Sequence, residues 1–192
     1  MEIIIASNNK YKITEINAVL KGSVSLLSLD DAGINEDIPE NENTLEGNAL
    51  EKARYVHRRT GGKVFADDTG LEVEALDGAP GVHSARYAGD DKNSERNIDR
   101  LLDELKKHTN RQARFRTVIA LIYDNEEHLF EGIVNGEIIN ERRGGEGFGY
   151  DPVFIPVNEK LTFAEMSAER KNKISHRAIA TKKMAHFLLG RV

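Results

Sequence analysis

Lys63-Val64-Phe65-Ala66-Asp67-Asp68-Thr69-Gly70, near the middle of the chain, sets how the rest is read. Lys63 to Ala66 is a short apolar strand signal that runs straight into two adjacent carboxylates, a hydroxyl and a glycine. Neighbouring side chains of a regular strand point to opposite faces, so two adjacent Asp inside one strand could not share an ion. A strand that ends there, released by Gly70, would turn both carboxylates toward the same rim. Carboxylates at the end of a buried strand are costly unless a cation or a proton transfer uses them. The alternative is an ordinary polar junction between strand and turn, and the other polar clusters of the chain weigh against it.

To either side, strand and helix patterns alternate. Glu2 to Ala6 reads as a buried strand, followed by a helix with Ile13, Ile16 and Leu20 on one face and Gly22 as its stop. Val24 to Leu29 reads as a second strand. An acidic loop, Asp30 to Asn43, precedes a helix starting at Thr44, with Leu45, Ala49, Ala53 and Val56 at helical spacing. Leu71 to Glu74 is a further short strand, and Ile98, Leu101, Leu102 and Leu105 mark an amphipathic helix. Arg114 to Tyr123 is the longest strand signal, with Phe115, Thr117, Ile119 and Leu121 on one face. Asp124-Asn125-Glu126 would turn it into a strand over Leu129 to Val134. Ser175 caps a closing helix with Ala178, Ala185 and Leu188 inward. This order predicts a mixed α/β chain with a long central sheet.

The 192 residues suit one domain, residues 1–192, or two lobes, with length enough for a sizeable core. Hydrophobic content of 39% and charged content of 31% fit a soluble globular protein. No apolar run reaches the length of a membrane span, and Met1-Glu2-Ile3-Ile4-Ile5 lacks the basic flank of a signal peptide. Cysteine is absent, which excludes disulfides and thiol catalysis and suits the cytoplasm. A net charge of −5 makes bulk nucleic acid a poor partner, so an anionic ligand must meet a local basic cluster.

Four such clusters stand out. Ser7-Asn8-Asn9-Lys10-Tyr11-Lys12 opens the first helix, where free N–H groups and the positive dipole end suit a phosphate. No G-x-x-x-x-G-K-[ST] occurs, so it is not a P-loop, and Ser7 could instead be an ordinary helix cap. In the second cluster Glu40 is a loop partner for Asp67 and Asp68. Lys52 lies on the inward face of its helix, where it needs an acidic partner or an anionic ligand. Gly144-Gly145-Glu146-Gly147-Phe148-Gly149-Tyr150-Asp151-Pro152 lets backbone lie close to a ligand and offers Phe148 as an exposed platform for a base, or else packs Phe148 in the core. Arg170-Lys171-Asn172-Lys173-Ile174-Ser175-His176-Arg177, at the start of the last helix, puts cations where they are intrinsically unfavourable, which an anionic ligand would explain. The remaining histidines show no metal-ligand spacing.

Together with Gly78-Ala79-Pro80-Gly81-Val82-His83-Ser84-Ala85-Arg86-Tyr87, these motifs resemble the inosine triphosphate pyrophosphatase family, in its order and spacing from residue 3 to the last helix. The resemblance implies an elongated α/β fold: a long central mixed sheet flanked by helices, in two lobes with a nucleotide cleft between them, usually as a homodimer. It also implies Mg²⁺-dependent hydrolysis of non-standard purine nucleoside triphosphates (ITP, dITP, XTP) to monophosphate and diphosphate. By motif match, Ser7, Asn8, Asn9, Lys10, Tyr11 and Lys12 hold phosphates. Glu40, Asp67 and Asp68 form the metal carboxylates, and Asp68 is also the proton acceptor. Thr69 faces the substrate, while Phe148, Gly149, Tyr150, Asp151, Lys171, His176 and Arg177 match substrate and base contacts. Lys12, Lys52 and Lys171 would offset charge on the departing diphosphate. Two departures from the family's commonest pattern are Gly47, where many members carry Glu, and Asn41-Glu42, in place of a smaller pair. The related septum-inhibitor type of pyrophosphatase opens instead with a Ser-Pro-Arg-Arg loop. A nucleotide sensor without catalysis is the reading from another class.

Overall fold

The computed structural model describes residues 1–20, 22 and 24–190; positions 21, 23, 191 and 192 of the expected 1–192 domain lie outside the described residues. Strand β1 (Glu2–Ile5) leads into α1 (Lys10–Leu20), then β2 (Ser25–Leu27), α2 (Leu45–Thr60) and β3 (Val64–Val73). After β4 (Pro80–Gly81) come α3 (Ser94–Leu105), β5 (Gln112–Tyr123), β6 (Glu126–Ile138), β7 (Phe154–Pro156), α4 (Ala168–Ile174) and α5 (His176–Leu189). The strands form one mixed seven-stranded sheet in the order β2-β1-β3-β5-β6-β7, with β4 pairing β3. β1 runs parallel to β2 and β3, whereas β4 and β7 are antiparallel to their neighbours. The α/β expectation with a long mixed sheet therefore holds.

The chain divides into two compact units, each with its own core. Unit 1 takes Met1–Asp68, Thr117–Gly132 and Arg177–Val192, and unit 2 takes Thr69–Arg116 and Ile133–His176. Ile3, Ile5, Ile16, Leu20, Phe65, Ile119, Leu121, Met184 and Leu188 pack together in unit 1. In unit 2 Leu71, Val73, Ile98, Leu101, Leu105, Phe115, Phe154 and Phe163 do so. Each such side chain contributes about 1.5–3 kcal/mol on leaving water, so the apolar faces, not helix propensity, hold these elements in place.

Helix α2 follows its sequence signals closely. The Thr44 hydroxyl accepts from Gly47 N–H at 3.0 Å, Gly61 closes the far end with φ 64°, and Leu45, Ala49, Ala53 and Val56 are buried. Other boundaries differ from expectation. Asp124 and Asn125 both have positive φ, a tight two-residue turn, so β6 already starts at Glu126 and is far longer than Leu129 to Val134. The second strand shrinks to Ser25–Leu27. The bases expected at the start of the last helix fall on α4, a separate short helix whose N-cap is Ser167; only His176 and Arg177 begin α5.

The largest correction concerns the central motif. Lys63 to Ala66 and Leu71 to Glu74 are not two strands; β3 runs unbroken from Val64 to Val73 through both aspartates. Gly70 does not release the strand. A Cβ on it would lie 2.5 Å from the Gly81 carbonyl oxygen, so the glycine admits β4, which pairs Leu71 with Gly81. The Leu71 N–H donates to Ser84 Oγ at 2.9 Å, which fixes the Gly78-to-Tyr87 motif against the strand.

Candidate active site

Because β3 continues, its pleat sends Asp67 and Asp68 to opposite faces rather than to one rim. Asp67 is fully buried, with Lys12 Nζ of α1 at 3.0 Å and Arg177 Nε of α5 at 3.4 Å from its Oδ2. Arg177 also pairs with Glu15, a residue one turn past Lys12 on α1 that sequence reasoning missed. Burial alone would raise the Asp67 carboxyl, but Lys12, then Arg177 and Lys52, outweigh it and hold it far below the usual carboxylate range. Burial likewise lowers Lys12, against the pull of Asp67, while Asp67 and Glu15 outweigh burial at Arg177 and raise it.

Asp68 belongs to a second set. Lys52 of α2 is buried, as its inward position predicts, and each donor of its ammonium has an acceptor. These are Glu40 Oε1 at 2.7 Å, the Asp67 carbonyl at 2.8 Å and Asp68 Oδ1 at 3.3 Å. Burial lowers the Lys52 ammonium, but Asp68, Glu40 and Asp67 together raise it above its ordinary value. Asn48 Nδ2 donates to Asp68 Oδ2 at 3.2 Å. Glu40 and Asp68 thus converge on one cationic point, with side chains 28% and 12% exposed. Among the described residues no three Asp, Glu, His or Cys side chains gather closely enough to hold a metal by themselves. Two carboxylates converging on one positive charge do fit an ion that draws its other ligands from water and phosphate.

The opening of α1 is capped by Asn9, not Ser7. Asn9 Oδ1 accepts from the N–H groups of Tyr11 (3.0 Å) and Lys12 (3.2 Å), and Ser7 Oγ accepts from Asn9 N–H. Asn8, Asn9, Lys10 and Tyr11 are exposed, Ser7 and Lys12 partly so.

The glycine-rich loop and its partners fall in unit 2. Asp151 and Lys171 form a buried ion pair at 2.6 Å, and Asp151 Oδ2 also accepts from Phe148 N–H at 2.9 Å. A Cβ on Gly147 would collide with that carboxylate, so the glycine is required there. Lys171 Nζ stands 5.1 Å from the Phe148 ring centroid. Phe148 is half-buried, not the exposed platform expected, and Tyr150 is a core residue whose hydroxyl donates to the Ser84 carbonyl at 2.8 Å. Gly149 (φ 61°) and Thr69 are partly exposed. His176 stacks on Phe115 at 4.6 Å. The cations around positions 170–177 need no external anion: Glu159, Asp151, Glu169, and Asp67 with Glu15 face Arg170, Lys171, Lys173 and Arg177 respectively. Lys171 lies in unit 2, whereas Lys12 and Lys52, the other two lysines expected at the diphosphate, lie in unit 1.

A profile of the Ham1 family matches residues 3–187. The chain is 56% identical over 189 residues to a dITP/XTP pyrophosphatase of Porphyromonas gingivalis, covering 98% of this chain and 97% of the relative. It is 54% identical to one from Flavobacterium psychrophilum, with 97% and 98% covered. Among solved structures, the Staphylococcus aureus Ham1 protein superposes with a TM-score of 0.91 at 40% identity, over 100% of both chains. A HAM1 protein from Coxiella burnetii gives 0.91 at 36% identity, over 99% of each. With a profile match along almost its whole length and full-length relatives at this identity, the chain belongs to the Ham1 family.

Proposed function

We propose that this protein hydrolyses non-standard purine nucleoside triphosphates, dITP, ITP and XTP, to the monophosphate and diphosphate, and so clears them from the nucleotide pool. The observation that carries the reading is the convergence of Glu40 and Asp68 on the Lys52 ammonium in a chain of the Ham1 family. The relatives from P. gingivalis and F. psychrophilum bear the name dITP/XTP pyrophosphatase.

Asp68 accepts the proton of the water that attacks the α-phosphorus, the role its partial exposure allows. Asp67, with its charge matched by Lys12 and Arg177, anchors the site from the other face of β3. Mg²⁺ is the ion we assign to Glu40 and Asp68, while Asp67, expected from the sequence as a third metal carboxylate, is held by Lys12 and Arg177 on the other face of β3 and is not one of its ligands. Bound there the ion would neutralise polyphosphate charge and lower the pKa of a bound water. Ser7 to Lys12, Lys52 and Thr69 serve the phosphates. Phe148, Lys171, His176 and Arg177 serve the base and its surroundings, with Gly149, Tyr150 and Asp151 shaping the loop. A buried donor that meets the 6-carbonyl of hypoxanthine or xanthine is left facing an amino group in adenine, at a cost of about 1–3 kcal/mol. Among the described residues no helix is long and apolar enough to cross a membrane. A cytoplasmic homodimer that binds no nucleic acid completes the proposal.

The test is a panel of dITP, XTP, ITP, GTP and ATP with Mg²⁺, in which monophosphate and diphosphate are read separately. Nucleoside diphosphate with orthophosphate would sink the assignment, and tight binding without turnover would mark a sensor.

A further inference from the structure

Helix α2 carries Asn48, Glu51 and Lys52 at i, i+3 and i+4, the spacing that puts three side chains on one face. Each holds a successive residue of the loop before the helix, in reverse order. Lys52 Nζ donates to Glu40 Oε1 at 2.7 Å. Glu51 accepts from the N–H of Asn41 at 2.8 Å and from its side-chain amide at 3.1 Å. Asn48 Oδ1 accepts from the Glu42 N–H at 3.0 Å. The other end of the Asn48 amide donates to Asp68 Oδ2 at 3.2 Å, while Asp68 Oδ1 faces Lys52. Asn48 is only 3% exposed, so an amide with both ends committed has been buried where an apolar residue would fill the helix face.

A second observation shows that the loop is built to lie against this face. A Cβ on Gly47 would stand 2.7 Å from Glu42 Cβ. Gly47 and Glu42 are therefore one packing arrangement: the missing side chain makes room for Glu42.

We propose that Asn48 and Glu51 are positioning residues, and that this face of α2 is a template fixing where Glu40 and Asp68 stand relative to each other. The inference rests on reading Glu40 and Asp68 as the reactive pair. Asn48 orients the Asp68 carboxylate by holding the oxygen that Lys52 does not, and Glu51 holds the loop that carries Glu40. Neither needs to touch the substrate. Groups that orient ligating or reacting side chains typically account for about 10–100-fold in activity or metal affinity.

The experiment compares wild type with Asn48→Ala, Asn48→Asp and Glu51→Gln, and uses Arg54→Gln as control, since Arg54 pairs with Glu127 on the exposed side of the helix. Two quantities are read: kcat and KM for XTP with Mg²⁺, and Mn²⁺ binding to the nucleotide-free protein by calorimetry. Asn48→Ala should lower kcat about 10–100-fold with KM little changed. Asn48→Asp keeps the acceptor for Glu42 but sets a carboxylate against Asp68, so kcat should fall at least as far even if Mn²⁺ binds more tightly. Glu51→Gln should weaken Mn²⁺ binding and leave kcat at saturating metal near wild type, and Arg54→Gln should change neither. Near wild-type kcat for Asn48→Asp would overturn the proposal, because loop support alone would then explain Asn48. Should Asn48→Ala not fold, the isosteric Asn48→Asp decides. If wild type turns over neither XTP nor dITP while the Mn²⁺ affinities shift as expected, the proposed function fails and the template stands.

Discussion

Unit 1 and unit 2 each bury charge, but they do so in different ways. In unit 2 Asp151 and Lys171 neutralise one another at 2.6 Å, both about 95% withdrawn from water with side chains 4% and 5% exposed, and the spare capacity of Asp151 goes to Phe148 N–H. That pair is closed and holds a loop. In unit 1 Asp67 is shared by Lys12 and Arg177, Arg177 also holds Glu15, and Lys52 bridges Glu40 and Asp68, so Asp67, Arg177 and Lys52 each have two charged partners. Asp68 and Glu40 keep partial exposure there. A closed pair orients its surroundings, whereas a network with accessible carboxylates can exchange one cation for another and accept a proton. The difference is why the proposed chemistry is placed on Asp68 and Glu40.

The sharpest way to break this comparison is Asp68→Asn, which keeps shape and removes the carboxylate proposed as proton acceptor. We expect kcat to fall about 10²–10⁴-fold with the melting temperature little changed. A folded variant near full activity would remove Asp68 from the mechanism.

Stability separates the units next. Arg177→Met and Lys171→Met should each cost about 3–5 kcal/mol in denaturant unfolding, since Lys171→Met leaves Asp151 buried without its cation and Arg177→Met takes one of two cations from Asp67 and the cation that Glu15 faces. Adding Asp151→Leu to Lys171→Met should recover most of the loss, because a closed pair can be replaced by apolar groups. Adding Asp67→Leu to Arg177→Met should not, because Lys12 and Glu15 are left behind. Equal recovery in both would mean the two clusters are energetically alike.

Acid sensitivity should follow unit 1. The folded-state pKa of Asp67 is depressed, so its ionised form stabilises the native protein above the unfolded carboxyl value near about 3.9, and this is lost as pH falls through the folded value. Urea midpoints of Asp67→Asn should therefore decline less than those of wild type as pH drops below about 4. A parallel decline would place the acid-labile contact elsewhere.

The smallest effect is expected from the loop that unit 2 holds. Phe148→Ala should lower kcat/KM for ITP and XTP alike by about 1–3 kcal/mol, as loss of base stacking does. A loss confined to one base would mean that Phe148 reads base edges.

The sequence by itself determined the apolar faces of α2 and α3, the α/β alternation, the inward placement of Lys52 and the family motifs, since periodicity and caps are local properties of the chain. Tertiary structure decided the rest. Gly70 reads as a strand end until β4 is seen packed against it, and only that pairing carries β3 through Asp67 and Asp68. Once the strand continues, its pleat separates two carboxylates that are adjacent in sequence, sending one to Lys12 and Arg177 and the other to Asn48 and Lys52. Arg177 is 110 residues from Asp67 and 162 from Glu15, and Asn48 is 20 from Asp68. Periodicity tells which face a side chain is on but not what another segment brings to meet it, so the residues were legible and their partners were not.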